Sequence, residues 1–285
     1  PEIADEKKID KWLNHIRIVF AHNDPGLFDF ILKWIAYPFQ YPGVKIPNAL
    51  VMTSGQGTGK TLFWAEFIGK LILGDSFAFV DNIQSVVGQF NSMSTMKQLV
   101  VADELESFGE NNNKNSTILK GLIGNTQCKW ESKGVNAMTI SNYASYVFLS
   151  NNDTPVLIES NDRHYTLCAL NEAHREDRDY FNALVSQLNM ECAGHFYKYL
   201  LGLDLSEFDY RSPYMTQSKQ EAMEENKHKV IQFVSYLKES NTLQNYEDIN
   251  DFHRGYMEYS NDSCTTTKKI SSLLKKEFGW ISTTY

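Results

Sequence analysis

The chain has 285 residues, 42% hydrophobic, 13% aromatic and 22% charged, which excludes disordered, collagen-like and low-complexity classes and allows one large or two ordinary domains. Its 27 Lys and Arg against 35 Asp and Glu give a net charge of −8, which argues against a basic-tail nucleic-acid binder but leaves room for a local basic channel. No apolar run approaches the roughly 18 residues that cross a bilayer, so no membrane partner is expected.

The start at Pro1, without Met or an apolar leader, is expected of a segment cut from a longer polypeptide. Cys128, Cys168, Cys192 and Cys264 form no CxxC pair, which fits a reducing cytoplasm. Ile9, Trp12, Leu13, Ile16, Val19 and Phe20 recur at helical spacing, and Leu27 to Ile35 repeat the pattern after Asp24-Pro25-Gly26, predicting two antiparallel helices. Pro38, Pro42 and Pro47 then break the chain until the apolar run Ala49 to Thr53, a buried strand.

Further short runs at Phe77 to Asp81, Gln98 to Asp103, Tyr146 to Ser150 and His164 to Leu170 alternate with helices at Thr61 to Leu73 and Ser116 to Ile123. That alternation predicts an α/β fold with a mostly parallel five-stranded sheet. Residues 176 to 203 read as helical, a second helix is expected from Gln217 to Lys238, and the polar stretch Glu239 to Asn250 reads as a linker. The expected organisation is an N-terminal helical segment (1–46), a core (47–210) and a C-terminal helical region (211–285), the last winged-helix-like or simply a basic helix with Lys268, Lys269, Lys275 and Lys276.

Directly after the first strand stands Ser54-Gly55-Gln56-Gly57-Thr58-Gly59-Lys60-Thr61, followed by a helix, which is the context of a phosphate-binding loop. Backbone N–H groups of Gly55 to Gly59 would cradle phosphate oxygens, Lys60 would reach the β and γ phosphates of ATP, and the Thr61 hydroxyl would ligate Mg²⁺. Ser54 stands where the pattern wants Gly, so it must accept the angles of the turn.

The run Leu99 to Ala102 ends in Asp103-Glu104, read as a metal-shell carboxylate (Asp103) and a water-polarising one (Glu104), or else as strand-end caps. A third strand ends in Asn151, whose amide can orient a lytic water. Arg163 is either an arginine finger reaching a neighbouring subunit or a solvated side chain paired with Asp162. Residues 127 to 140 read as a β-hairpin with Lys133 at its tip and Lys129 on its first strand, either solvated or gripping the phosphates of single-stranded DNA.

These motifs resemble the superfamily 3 helicases, a branch of the AAA+ ATPases of viruses, phages and plasmids. Forty-three positions separate Lys60 from Asp103 and 48 separate Asp103 from Asn151, a compactness similar to that superfamily. Ser54 to Thr61 match its Walker A motif, Leu99 to Glu104 Walker B, Lys129 to Asn136 the B-prime hairpin and Phe148 to Asn151 motif C. Tyr37 to Pro42 and Asp204 to Pro213 look like the helicase part of phage and mobile-element primase-helicases.

The resemblance implies an AAA+-like core, a homo-hexameric ring hydrolysing ATP at subunit interfaces, and translocation on single-stranded DNA. It also implies an upstream primase or primase-polymerase domain and a location in the bacterial host's cytoplasm. Gly134 and His164 depart from the family's usual polar or basic neighbours of Lys133 and Arg163. Two rivals remain open: an ATP-dependent DNA remodeller or loader without unwinding, and a non-catalytic nucleotide-binding scaffold for an upstream primase.

Overall fold

The computed structural model describes residues 2–81, 96–103, 113–130, 136, 138–152, 155–156, 158, 161–225, 229–246, 248–260 and 266–280. The chain divides into two compact units, 1–222 and 223–285. In the first, α1 (Asp10–His15) runs on into a π-type turn (Ile16–Phe20), and α2 (Pro25–Gln40) follows. Asp24 starts α2 by accepting the N–H groups of Gly26 (2.8 Å) and Leu27 (3.2 Å), with Pro25 at the first position, where its missing N–H costs nothing.

One expectation is corrected here: the helix does not stop at Pro38 but continues to Gln40. Pro38 sits in the last turn, so it forfeits one bond near an end that frays anyway, and burial of Ala36 and Tyr37 holds the turn in place.

The strands are β1 (Ala49–Thr53), β2 (Phe77–Val80), β3 (Leu99–Ala102), β4 (Gln127–Trp130), β5 (Met138–Ser141), β6 (Ser145–Ser150) and β7 (Tyr165–Ala169). Five of them form one parallel sheet in the order β2-β3-β6-β1-β7. The alternation of short apolar runs with helices is the reason: β1, β3 and β6 are buried at every residue, as strands covered on both faces must be. β4 and β5 pair antiparallel as the expected hairpin, whose tip, with Lys133, lies outside the described residues.

Helix α3 (Leu62–Leu73), wound at π pitch, packs Phe63, Trp64, Phe67 and Ile68 into the core, where Trp12 stacks on Phe67 at 4.5 Å and Phe20 meets the edge of Phe63 at 5.2 Å. Helix α4 (Asn113–Gly124) buries Leu119 and Ile123. The stretch 176–203, expected as one helix, is two: α5 (Arg178–Ser186) and α6 (Met190–Leu201). Asn189 starts the second by capping the N–H of Cys192 at 2.9 Å, and a side chain that bonds its own backbone this way favours a break.

Helix α7 (Gln217–Glu225) anchors on the sheet through Lys219, whose fully buried ammonium donates to the carbonyls of Asp162 (3.1 Å) and Tyr165 (2.8 Å) and to the Asp162 carboxylate (3.3 Å). Helix α8 (Lys229–Glu239) completes the expected 217–238 segment, residues 226–228 lying outside the described ones. In the second unit α8, α9 (Ile249–Ser260) and α10 (Thr267–Phe278) share a core of Val230, Phe233, Val234, Leu237, Phe252, Tyr256, Ile270 and Leu274. Leu243 and Tyr246 pack against that core, so 239–250 is not a linker but part of the unit: two apolar anchors in a polar stretch are enough to fold it down. Among the described residues this unit has no strand, and no described helix of the chain is long and apolar enough to cross a membrane.

Lys219→Met should lose about 3–5 kcal/mol in denaturant unfolding, because it strands the buried Asp162 carboxylate. The double variant Asp162→Asn with Lys219→Met should recover part of that loss; equal losses would contradict the pairing.

Candidate functional site

Three adjacent strands end at one level: β1 at Thr53, paired with Ser150 of β6 and Ala169 of β7. The loops that leave them therefore share one edge of the sheet, the carboxyl edge, where parallel α/β sheets bind ligands. After Thr53 the chain turns through Ser54 to Lys60 into α3, with Gly57 at φ +83° and Gly59 at φ +84°, conformations that L side chains rarely adopt. Ser54 has no positive φ, so the absence of Gly there carries no backbone strain. Its hydroxyl lies 2.7 Å from that of Thr58 and accepts from Lys60 at 2.7 Å, work that a glycine would not do.

Lys60 is buried and points back under its own loop. Its ammonium donates toward the carbonyls of Ser54 (2.9 Å), Gly55 (3.2 Å) and Ser150 (3.2 Å) and toward the Asn151 amide oxygen (3.3 Å). Burial draws its pKa below the ordinary lysine value, while Asp103 and Glu172 oppose that shift. Thr61 opens the helix beside it and its hydroxyl donates to Asp103 Oδ2 at 3.3 Å. Because β6 lies between β1 and β3, the carboxylate at the end of β3 faces the start of α3 across one strand.

Lys60, Thr61, Asp103 and Asn151 are thus brought together, and Gly55, Gln56, Gly57, Thr58 and Gly59 form the loop around them. Glu104 lies outside the described residues. A hydroxyl and a carboxylate meeting at one point are the hard oxygen donors that Mg²⁺ takes, and a lysine beneath a glycine-rich turn between a strand and a helix is suited to a polyphosphate.

Arg163 and the hairpin lie elsewhere. Ala49 N–H donates to the His164 carbonyl at 2.8 Å, so Arg163 sits by the amino end of β1, roughly 17 Å along the strand from the loop at ~3.3 Å per residue. Arg163 is exposed; its neighbour Asp162 is taken by Lys219 rather than by Arg163. The hairpin springs from the same amino edge, where buried Lys45 bonds the Ala144 carbonyl and reaches the Asn142 amide oxygen at 3.3 Å. Lys129 is exposed on β4.

Several site neighbours were not anticipated. Glu172 accepts the Gly55 N–H at 2.6 Å and pairs with Arg175 at 3.1 Å. His15 is buried behind the loop, so close that a Cβ on Gly59 would lie 2.8 Å from its Cε1. It shares a hydrogen bond with the Tyr180 hydroxyl at 2.8 Å. One signal for Glu172 and Arg175 was available: residues just after a fifth parallel strand must emerge at the carboxyl edge. None marks His15, which sits on a helical apolar face like any core residue.

Residues 52–164 match the model of a family described as Family of unknown function (DUF5906). The chain is 24% identical over 209 residues to the DNA Primase-polymerase of Nitratiruptor phage NrS-1, a match that takes in 70% of this chain and 27% of that protein. It therefore spans about a quarter of the length of this curated relative. Solved structures of the NrS-1 C-terminal region share the fold: one, of residues 305–718, superposes with a TM-score of 0.71 at 20% identity over 95% of this chain and 67% of that one. A second superposes with a TM-score of 0.69 over 90% and 60%.

Burial, with help from His174, pulls the His15 pKa from 6.5 down to about 3. A folded value below the unfolded one means that stability is complete above about pH 6.5 and falls as pH drops from there toward 3. In urea unfolding across that window the His15→Phe variant should show a flatter loss than the parent chain; parallel curves would contradict the buried neutral imidazole.

Proposed function

We propose that this chain binds ATP with Mg²⁺ on the loop 54–61 and hydrolyses it to drive movement along single-stranded DNA, as the helicase segment of a phage replication protein. The observation that carries the reading is the convergence of the Lys60 ammonium, the Thr61 hydroxyl and the Asp103 carboxylate at the carboxyl edge of a parallel sheet, with Asn151 beside them. The strand order, with β6 inserted between the loop strand and the carboxylate strand, fits an AAA+-like core. Similarity to a phage primase-polymerase supports a replication setting and a linked primase-polymerase domain.

In this reading Lys60 exchanges its loop carbonyls for the β and γ phosphate oxygens, and three N–H donors suit it to both. Thr61 and Asp103 would hold a bound Mg²⁺, which would supply positive charge against the phosphate oxygens. Glu104 polarises the attacking water and Asn151 orients it from the neighbouring strand end. Arg163, on the far edge of its own sheet, is too distant for its own loop and acts as the finger on a neighbouring copy, which is why the active form is a ring, taken as a hexamer. Lys129 and Lys133 hold the DNA backbone from the hairpin, whose root lies at the edge opposite the nucleotide.

Steady-state ATP hydrolysis at low, fixed salt should be stimulated by single-stranded DNA and abolished in Lys60→Ala. DNA-independent turnover would remove the motor, and ATP binding without turnover would favour the scaffold. Mixing Arg163→Ala chains with Glu104→Gln chains should restore part of the activity, since some interfaces then combine an intact finger with an intact base; no recovery at any ratio contradicts a finger acting between copies.

A further inference from the structure

After β7 the chain crosses the mouth of the loop as Asn171 to Asp177 before entering α5. Asn171 is tied to the first helical layer by its N–H bond to the Val19 carbonyl (2.9 Å), and Asp177 caps α5 at the N–H of Tyr180 (3.0 Å), so the segment is fixed at both ends. Between those ties, Glu172 Oε1 accepts the Gly55 N–H at 2.6 Å and Arg175 Nη1 donates to Glu172 Oε2 at 3.1 Å. A Cβ placed on Gly55 would lie 2.8 Å from Arg175 Nη1, and one on Gly57 3.9 Å from Arg175 Cγ, so the Arg175 side chain lies along the loop itself. Both side chains remain a little under half exposed and can swing. Glu176, next in sequence, has φ +64°, in the left-handed region.

A carboxylate on a phosphate-loop N–H occupies a donor that such a loop offers to anions, and Lys60 Nζ is 3.2 Å from the Gly55 carbonyl, so this is the end of the loop that the lysine serves. Resting on the nucleotide reading above, we propose that Glu172 is an internal anion that latches the loop, and that an incoming triphosphate displaces it and takes Arg175 as a phosphate ligand from the same chain. One ion pair is exchanged for another. Glu172 leaves the Gly55 N–H and the guanidinium; a terminal phosphate oxygen takes the guanidinium in its place, with no covalent change. Arginine is suited to the hand-over because its planar fork binds carboxylate and phosphate in the same geometry. With the pair in this position, a side chain at Gly55 would have to push the two side-chain ends aside.

Calorimetric titration of the 285-residue chain with ATP and with ADP, in the presence of Mg²⁺, tests this. Glu172→Gln, which removes the charge and keeps the shape, should tighten ATP by about tenfold, and Arg175→Ala should weaken ATP by about tenfold and shrink the preference for ATP over ADP. Because both residues sit on the surface, thermal midpoints should match the parent chain and exclude misfolding. Unchanged ATP affinity in Glu172→Gln, or an Arg175→Ala chain that keeps the full ATP and ADP affinities, overturns the latch while leaving the loop assignment standing. A parent chain that binds ATP no better than Lys60→Ala would instead overturn the nucleotide reading, and the latch with it.

Discussion

The site depends on the parallel register that places β1 between β6 and β7. With Thr53 opposite both Ser150 and Ala169, three strand ends release their loops at one height. From a single point just beyond those ends, the buried Lys60 ammonium donates to the carbonyls of Ser54 and Ser150, the second of which also accepts the Ser54 N–H. Lys60 is thus a structural donor and the cation of the site in the same position, and a ligand that draws it forward must replace those bonds with bonds to its own oxygens.

Behind the loop the packing is aromatic. Trp12, Phe20, Phe63, Phe67 and Phe196 form a contiguous layer from α1, the π-type turn after it, α3 and α6, and His15 extends it to within contact of Gly59. That layer fixes the helix carrying Thr61, and so the reach of its hydroxyl to Asp103. In front, the segment after β7 lays a carboxylate and a guanidinium across the mouth. The opposite edge of the same sheet bears Arg163 and the root of the hairpin. The two edges therefore have separate chemistry, one suited to phosphate and metal, the other carrying the exposed cations Arg163 and Lys129.

Much of this was legible in residue order. The five apolar runs became the five parallel strands with no end shifted by more than one residue, and the loop after the first became the turn with two positive-φ glycines. What escaped the sequence was non-local. Pro38 reads as a break but survives in a last helical turn held by burial, and Gln187 to Asn189 reads as helix but serves as a cap. Asp162 looks like a partner for Arg163 next door, yet pairs with Lys219, 57 positions away, because a buried carboxylate must find a cation inside. Glu172 and His15 reach the loop from segments more than a hundred and about forty positions off, and no local pattern encodes such contacts.

A triphosphate seated against Lys60 can be read chemically, without turnover. An ATP acyl-phosphate probe transfers its acyl group to a lysine amine lying beside the terminal phosphates, and peptide mass spectrometry reports which lysine. Labelling concentrated on Lys60, suppressed by excess ATP with Mg²⁺ and weakened in Asp103→Ala, is the predicted result. Labelling spread over surface lysines such as Lys70 and Lys198, insensitive to ATP and absent from Lys60, would contradict it.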